Sequence, residues 1–361
     1  FDRDDYDYIN SGRGSNTITF TSKDGYEFTK KELLMTTDDY PADMSNHVRD
    51  PKIFKKNEKY YMVLGARDVE GVGMILLYES TDLKNWTYKN RITTPQKFGY
   101  MWECPDLFEM DGQLYIICCP QGVETKGIDY ENVHQVTAMK LDYDFDTDEY
   151  EITDIKLFDR GFDFYAPQSF EDESGRRILI GWMGIPDADY TNPTEEAGWQ
   201  HALTIPRELS VRDGKLIQEP IEELKQLRSE DKAVCTFCYG QTIIMQNAIY
   251  EAVVDFKRCR EMVMTLREGI TLSYKDNILT LNLGVYGGGR STRKVRLEKL
   301  EHLQIFADTS SLEIFVNHGE EVFTTRIYNH YGRLLINGEC SGIMTVYPLK
   351  SFEIEGGRHE E

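Results

Sequence analysis

The sequence predicts an all-β protein, a bladed β-propeller followed by a β-sandwich. Three observations carry this. The stretches "DPKIFKKNEKYYMVLGA" (50–66), "CPDLFEMDGQLYIICCPQ" (104–121) and "APQSFEDESGRRILIGWMG" (166–184) share one form. Each is Pro-x-x-Phe, a short polar turn and a strongly apolar run, which reads as strand, tight turn and buried strand. The key prolines, Pro51, Pro105 and Pro167, stand 54 and then 62 residues apart, and a repeat of short strands at that period is the mark of propeller blades. A sandwich, whose strands recur every 8–12 residues, does not explain so long a period. Lastly, the 22 tyrosines favour strands, where aromatic rings pack well on a pleated surface.

The elements come in order. "SKDGYEF" (22–28) and "STDLKNW" (80–86) both spell Ser-x-Asp-x-x-x-aromatic, 58 residues apart, and read as an outer hairpin turn. The chain thus opens on an outer hairpin (14–34) with no inner strands ahead of it and holds about three and a half blades, fewer than a closed ring needs. It reads as N-terminally incomplete. Pro220, with Ile221, Leu224 and Leu227 on one side, predicts a short helix. The expected domains are an incomplete propeller over 1–210, a connector with a short helix over 211–228 and a β-sandwich over 229–361. In the last, "SLEIFVNHGEEVFTTRIY" (311–328) alternates and turns at Asn317-His318-Gly319, and "YKDNILTLNLGVY" is another hairpin. "GVYGGGRST" reads as a glycine-rich turn; without a helix after it, it does not read as a phosphate cradle.

Composition bounds the function. A net charge of −21 over 361 residues argues against nucleic-acid and anionic-membrane partners, and no apolar stretch approaches the roughly 20 residues of a membrane span. The seven cysteines are odd in number; Cys118 and Cys119 read as small core residues, and free thiols point to a reducing compartment. "CTFC" (235–238) has Cys-x-x-Cys spacing but no second pair or His at zinc-finger distance. No metal or cofactor is expected.

In a propeller, the residues just before each Pro-x-x-Phe converge at one mouth of the central channel. They include Asp50, Glu103 and the group Asp163-Phe164-Tyr165. Alone, an Asp before Pro is usually a turn residue and a Glu is usually solvated. As a pair at what read as equivalent strand edges, 53 residues apart, Asp50 and Glu103 match the two carboxylates of glycosidic-bond cleavage. Trp102 and Cys104-Pro105 give Glu103 an apolar setting suited to a general acid, and Arg49 is expected to keep Asp50 ionised. Trp102, Tyr165, Trp182 and Trp199 are candidate sugar platforms, although aromatic rings in β proteins are more often core. His47 and His201 read as hydrogen-bonding residues.

These stretches together resemble glycoside hydrolase family 32, the family of invertases, fructanases and sucrose-6-phosphate hydrolases. "HVRDPKIF" resembles its Arg-Asp-Pro motif and "WECPDLF" its Glu-Cys motif. "FDFYAPQSF", "GWMGIPDADYTNPTEEAGWQHALTIPREL" and the sandwich stretch 311–328 are similar to further family segments in the right order. "SGRGSNTITFTSKDG" and "YPADMSNHVRDP" resemble the bacterial sucrose-6-phosphate hydrolase and β-fructofuranosidase branch. The resemblance implies a five-bladed propeller with a sandwich, and a retaining hydrolysis of sucrose, sucrose 6-phosphate or fructo-oligosaccharide. It makes Glu103 the acid/base and Asp50 the transition-state stabiliser. Arg49 would assist Asp50, and Trp102, Asp163, Tyr165 and Trp182 would line the pocket. A bacterial cytoplasmic location and a homodimer through the sandwich are further expectations.

One departure stands out. The family's nucleophile is an Asp in a Trp-Met-Asn-Asp-Pro-Asn-Gly type motif, and no such stretch occurs in the 361 residues. The first blade and the inner strands of the second, roughly 80–110 residues, are therefore expected to be absent and this chain alone inactive or nearly so. Two other readings compete: another five-bladed glycosidase acting on arabinan or xylan, and a non-catalytic sugar-binding or scaffold propeller.

Overall fold

The computed structural model describes residues 9, 14–240, 248–329 and 331–351; residues 11–13 of the first bacterial-type stretch lie outside them. Contacts divide the chain into two compact units. One comprises the residues up to Asp159 with Phe164–Glu171 and Leu179–Asp189; the other comprises Arg160–Asp163, Asp172–Ile178 and the chain from Tyr190 onward.

The first unit opens on a hairpin of β1 (Thr17–Thr19) and β2 (Glu32–Met35). Strands β3 (Met44–Lys56), β4 (Lys59–Asp68), β5 (Gly73–Ser80) and β6 (Thr87–Ile92) form a four-stranded antiparallel meander in sequence order. Strands β7 (Met101–Met110), β8 (Gln113–Gln121), β9 (Thr137–Tyr143) and β10 (Tyr150–Leu157) form a second. These are the first two sequence repeats, each a blade. β11 (Tyr165–Glu171) and β12 (Arg177–Trp182) come next. The Ser-x-Asp motif is one turn used twice. Asp24 Oδ1 accepts from the N–H groups of Tyr26 and Glu27, as Asp82 Oδ1 does from Lys84 and Asn85, while Ser22 and Ser80 accept from residues three further on.

The run "YYMVLGA" is apolar throughout because its sheet is buried on both faces. Tyr61 and Val63 pack with Trp102, Ile116 and Met139 of the next blade, whereas Met62, Leu64 and Ala66 pack with Met35, Tyr40 and Val48. Strand alternation sends neighbours to opposite faces.

The second unit contains the hairpin β13 (Arg207–Arg212) and β14 (Lys215–Pro220), turning at Asp213-Gly214, both at positive φ. The segment 211–228, expected as a connector, is therefore strand as far as Pro220. Proline here ends a strand rather than beginning a helix. Beyond it lies a short 3-10 segment, Glu222–Leu227, burying only Leu224. Then come β15 (Ala233–Cys238), β16 (Tyr250–Arg267), β17 (Ile270–Lys275), β18 (Ile278–Asn282), β19 (Thr292–Arg296), β20 (His302–Ala307), β21 (Ser311–Val316), β22 (Glu321–Arg326) and β23 (Gly332–Pro348).

Both layers of this sandwich belong to one hydrogen-bonded sheet. The 18-residue β16 pairs along its length with β23; its first half also pairs with β20 and its second with β17. Irregularities at Phe256/Arg258 and Cys259/Glu261 bend the strand between layers, as bulges do at sandwich corners. Val254, Met262, Leu281, Ile314 and Ile336 share the resulting core. The turn at Asn317-His318-Gly319 is present, all three residues having positive φ. Cys235 and Cys238 stand three apart on β15, an odd spacing that points them to opposite faces.

Candidate active site

The repeated proline sets the geometry. Pro lacks the N–H that a ladder requires, and the register of the inner strands slips there: between Arg49 and Lys52 on β3, and between Glu103 and Asp106 on β7. The residue before each proline is left-handed, with φ 62° at Asp50, 49° at Cys104 and 46° at Ala166. Such backbone costs of order 1–3 kcal/mol per non-glycine residue, and it recurs here in three copies. The equivalence corrects the sequence reading. Asp50 corresponds to Cys104 and Ala166, so the counterparts of Glu103 are Arg49 and Tyr165.

Those three counterparts meet. Arg49 donates to Glu103 Oε1 from Nε at 2.9 Å and from Nη2 at 2.5 Å. Tyr165 donates its hydroxyl to Glu103 Oε2 at 2.7 Å, and Gln121 Nε2 donates to the same oxygen at 2.9 Å. The Glu103 side chain retains 15% exposure, so it is held on its protein side and still reachable. Burial above all, then the Cys119 thiol and the Glu103 charge, push the Tyr165 phenol far up, which keeps it a donor.

Two expectations change. The Arg49 cation, assigned to Asp50, is paired with Glu103, its remaining Nη1 lying 2.7 Å from His47 Nδ1. The surroundings of Glu103 are polar rather than apolar, because strand alternation turns Trp102 the other way. Trp102 is fully buried among Val63, Ile75 and Ile116, donating to Phe98 O at 2.7 Å; it is core and lines no pocket. Asp50 instead accepts the Cys104 N–H at 2.9 Å, with the Cys104 thiol at 3.7 Å. This joins the two inner strands and brings Asp50 beside the residue after Glu103.

Trp182 is half-buried, its ring edge-on to Tyr165 at 6.3 Å. Asp163 is a structural residue of the second unit. Its carboxylate accepts from Tyr190, Arg290, Thr325 and the Arg326 N–H, and is 1% exposed. Arg290 comes from the glycine-rich turn, whose role is to deliver that guanidinium. Trp199 lies under the Arg326 guanidinium, and His201 has left-handed backbone.

Gln121 and His134 were missed. Glu103 pairs with Cys119 across β7 and β8, so Gln121, two residues on, shares its face; counting back from the Asp111-Gly112 turn would have sent it to the other face, because the register slips between Glu103 and Asp106. His134 has no such pattern. It is buried, bonded through Nε2 to Asp187 at 2.9 Å, with its ring 6.2 Å from that of Tyr165. The arrangement offers one reachable carboxylate whose oxygens accept from three side chains and a second fixed by the backbone.

Two family models match this chain: the glycosyl hydrolases family 32 N-terminal domain over residues 5–220 and the family 32 C-terminal domain over residues 272–346. A sucrose-6-phosphate hydrolase of Staphylococcus xylosus is 35% identical over 334 residues, spanning 88% of this chain and 67% of its own length. One from Bacillus subtilis is 35% identical over 334 residues, spanning 89% and 69%. Among solved structures, sucrose-6-phosphate hydrolase from Lactobacillus gasseri superposes with a TM-score of 0.83 at 27% identity, covering 92% of this chain and 72% of that one. A β-fructofuranosidase of Bombyx mori superposes at 0.75 and 27%, covering 93% and 75%. The all-β, propeller-and-sandwich architecture is theirs as well.

Proposed function

Since the chain belongs to glycosyl hydrolase family 32, we propose that its Glu103–Asp50 site serves hydrolysis of β-linked fructosides: sucrose, sucrose 6-phosphate or short fructans. The observation that carries the reading is the triple grip of Arg49, Gln121 and Tyr165 on Glu103 beside a backbone-fixed Asp50. Glu103 gives its proton to the glycosidic oxygen as the leaving sugar departs. Asp50, held by the Cys104 N–H, opposes positive charge on the fructosyl ring and accepts its hydroxyls. Tyr165 and Trp182 form the adjoining wall.

Retention of configuration requires a further carboxylate as nucleophile about 5–5.5 Å from the acid. The family's motif for it is not in this sequence, so the chain alone is expected to bind substrate and turn it over poorly. Seven unpaired thiols, three of them buried, support a cytoplasmic location, and a homodimer through the sandwich completes the reading.

Activity tests it. The purified chain should hydrolyse sucrose and sucrose 6-phosphate at background rates. Joined to a segment carrying the family's nucleophile motif, it should turn over, and Glu103→Gln should then lower kcat by roughly 10²–10⁴ with sugar binding retained. Turnover unchanged by Glu103→Gln would favour a sugar-binding propeller instead.

A further inference from the structure

We propose that Gln168 is a positioning residue for Asp50, fixing the Cys104 backbone whose N–H holds the Asp50 carboxylate. This rests on the fructoside reading, in which Asp50 meets the sugar, and names how that carboxylate is kept in place.

The residues that follow the repeated prolines are counterparts too. Lys52, Asp106 and Gln168 come directly after Pro51, Pro105 and Pro167, and their side chains gather as those of Arg49, Glu103 and Tyr165 do. Lys52 Nζ donates to Gln168 Oε1 at 3.2 Å and to the Ser169 carbonyl at 2.6 Å, and it lies 3.7 Å from Asp106 Oδ1. Asp106, 1% exposed, accepts on Oδ2 from the Ser169 N–H and hydroxyl, both at 2.7 Å. The cation from the first repeat and the carboxylate from the second thus both hold β11, the third.

Gln168 turns this tie toward the site. An ammonium only donates, so Lys52 fixes which way the amide faces: Oε1 lies toward Lys52 and Nε2 points the other way. Nε2 donates to the Cys104 carbonyl at 3.1 Å, and the N–H of the same residue donates to Asp50 Oδ2 at 2.9 Å. Cys104 is left-handed, with φ 49°, a backbone that persists only where its surroundings hold it. Without a donor on its carbonyl, Cys104 is free to relax toward an ordinary conformation and carry its N–H away from Asp50. Gln168 is itself exposed, so its influence runs through these two hydrogen bonds and not through packing.

Calorimetry on the full chain with sucrose and fructose, beside urea melts, is the test. Gln168→Met removes the donor and should weaken both sugars about 3–10-fold, the range for one hydrogen bond, with the urea midpoint unchanged. Gln168→Glu still accepts from Lys52 but offers the Cys104 carbonyl no donor, so it should lose as much. Lys52→Met should weaken binding in the parent but not in the Gln168→Met chain. Asp50→Asn should weaken both sugars about 10–100-fold, and in that background Gln168→Met should cost nothing further. Full affinity in either Gln168 variant, or an equal loss in the Asp50→Asn chain, overturns the inference and leaves the fructoside reading standing. A urea midpoint that falls along with affinity makes the role one of stability alone and overturns it as well. Affinity untouched by Asp50→Asn removes Asp50 from the fructoside reading and the inference with it. No binding of either sugar by the parent chain overturns both.

Discussion

Arg49 and Glu103 occupy the same position in successive repeats, and their side chains close on each other at 2.5 Å. Each stands one residue before a left-handed residue and a proline. A single structural device, repeated along the chain, thus aims a guanidinium, a carboxylate and the Tyr165 phenol at one place. The candidate acid is held by the counterparts of itself.

That convergence predicts non-additive mutants. In the chain completed with a nucleophile segment, Arg49→Met and Tyr165→Phe should each lower kcat roughly 10- to 100-fold, since each removes a hydrogen bond to a charged group. Both act through Glu103, so in a Glu103→Gln background the same substitutions should change the residual rate little. Full, additive losses in that background would show that the two residues act on substrate independently.

Much of this was legible in sequence. Pro51, Pro105 and Pro167 located the three strands, and the Ser-x-Asp motif located a turn that the structure repeats. The one-residue offset between Asp50 and Glu103 was legible too, since Pro51 and Pro105 stand 54 residues apart and the two carboxylates 53; the left-handed backbone before each proline was not. Trp102 was misread for a related reason. Its neighbour faces the site, and strand alternation sends Trp102 to the opposite side. Asp163 was out of reach, since its partners Arg290 and Thr325 lie more than a hundred residues away in sequence.

Close backbone approach gives a second prediction. A Cβ on Gly65 would fall 2.2 Å from the Trp102 carbonyl oxygen, so β4 and β7 meet only because position 65 has no side chain. Gly65→Ala should cost about 1–3 kcal/mol, as overpacking does, and displace the strand bearing Glu103. Urea melts and sucrose affinity should fall together; a stable variant with intact binding would refute the link.

In the second unit, Arg207 and Glu313 form a buried pair at 2.7 Å, with side chains 0% and 3% exposed. Gln218 and Thr324 accept from Arg207, and Glu313 accepts the Ile205 N–H. Arg207→Met strands an ionised carboxylate in the interior and should cost about 3–5 kcal/mol. The double variant Arg207→Met/Glu313→Leu removes both charges and should recover part of that loss, read from denaturant midpoints. A single variant as stable as the parent would mean water reaches Glu313.

Alkaline pH should unfold the chain through its buried acids. Burial pushes the Cys118 thiol up to about 12, aided by Cys104, and the Cys259 and Cys340 thiols up to about 12 and about 11. It also raises the phenols of Tyr78, Tyr143 and Tyr250. A raised folded value means that the folded state holds its proton more tightly than the unfolded one. The stability is therefore complete below the ordinary thiol and phenol range, near 9 to 10, and is lost as pH rises through about 12. The loss should be on the order of a few kcal/mol between pH 9 and 12. Tyrosinate absorbance should accordingly lag behind that of the unfolded chain. The buried rings should titrate later, in step with the loss of near-ultraviolet circular dichroism. A smooth single titration with tertiary signal intact at pH 12 would contradict the assignment of these groups to a closed core.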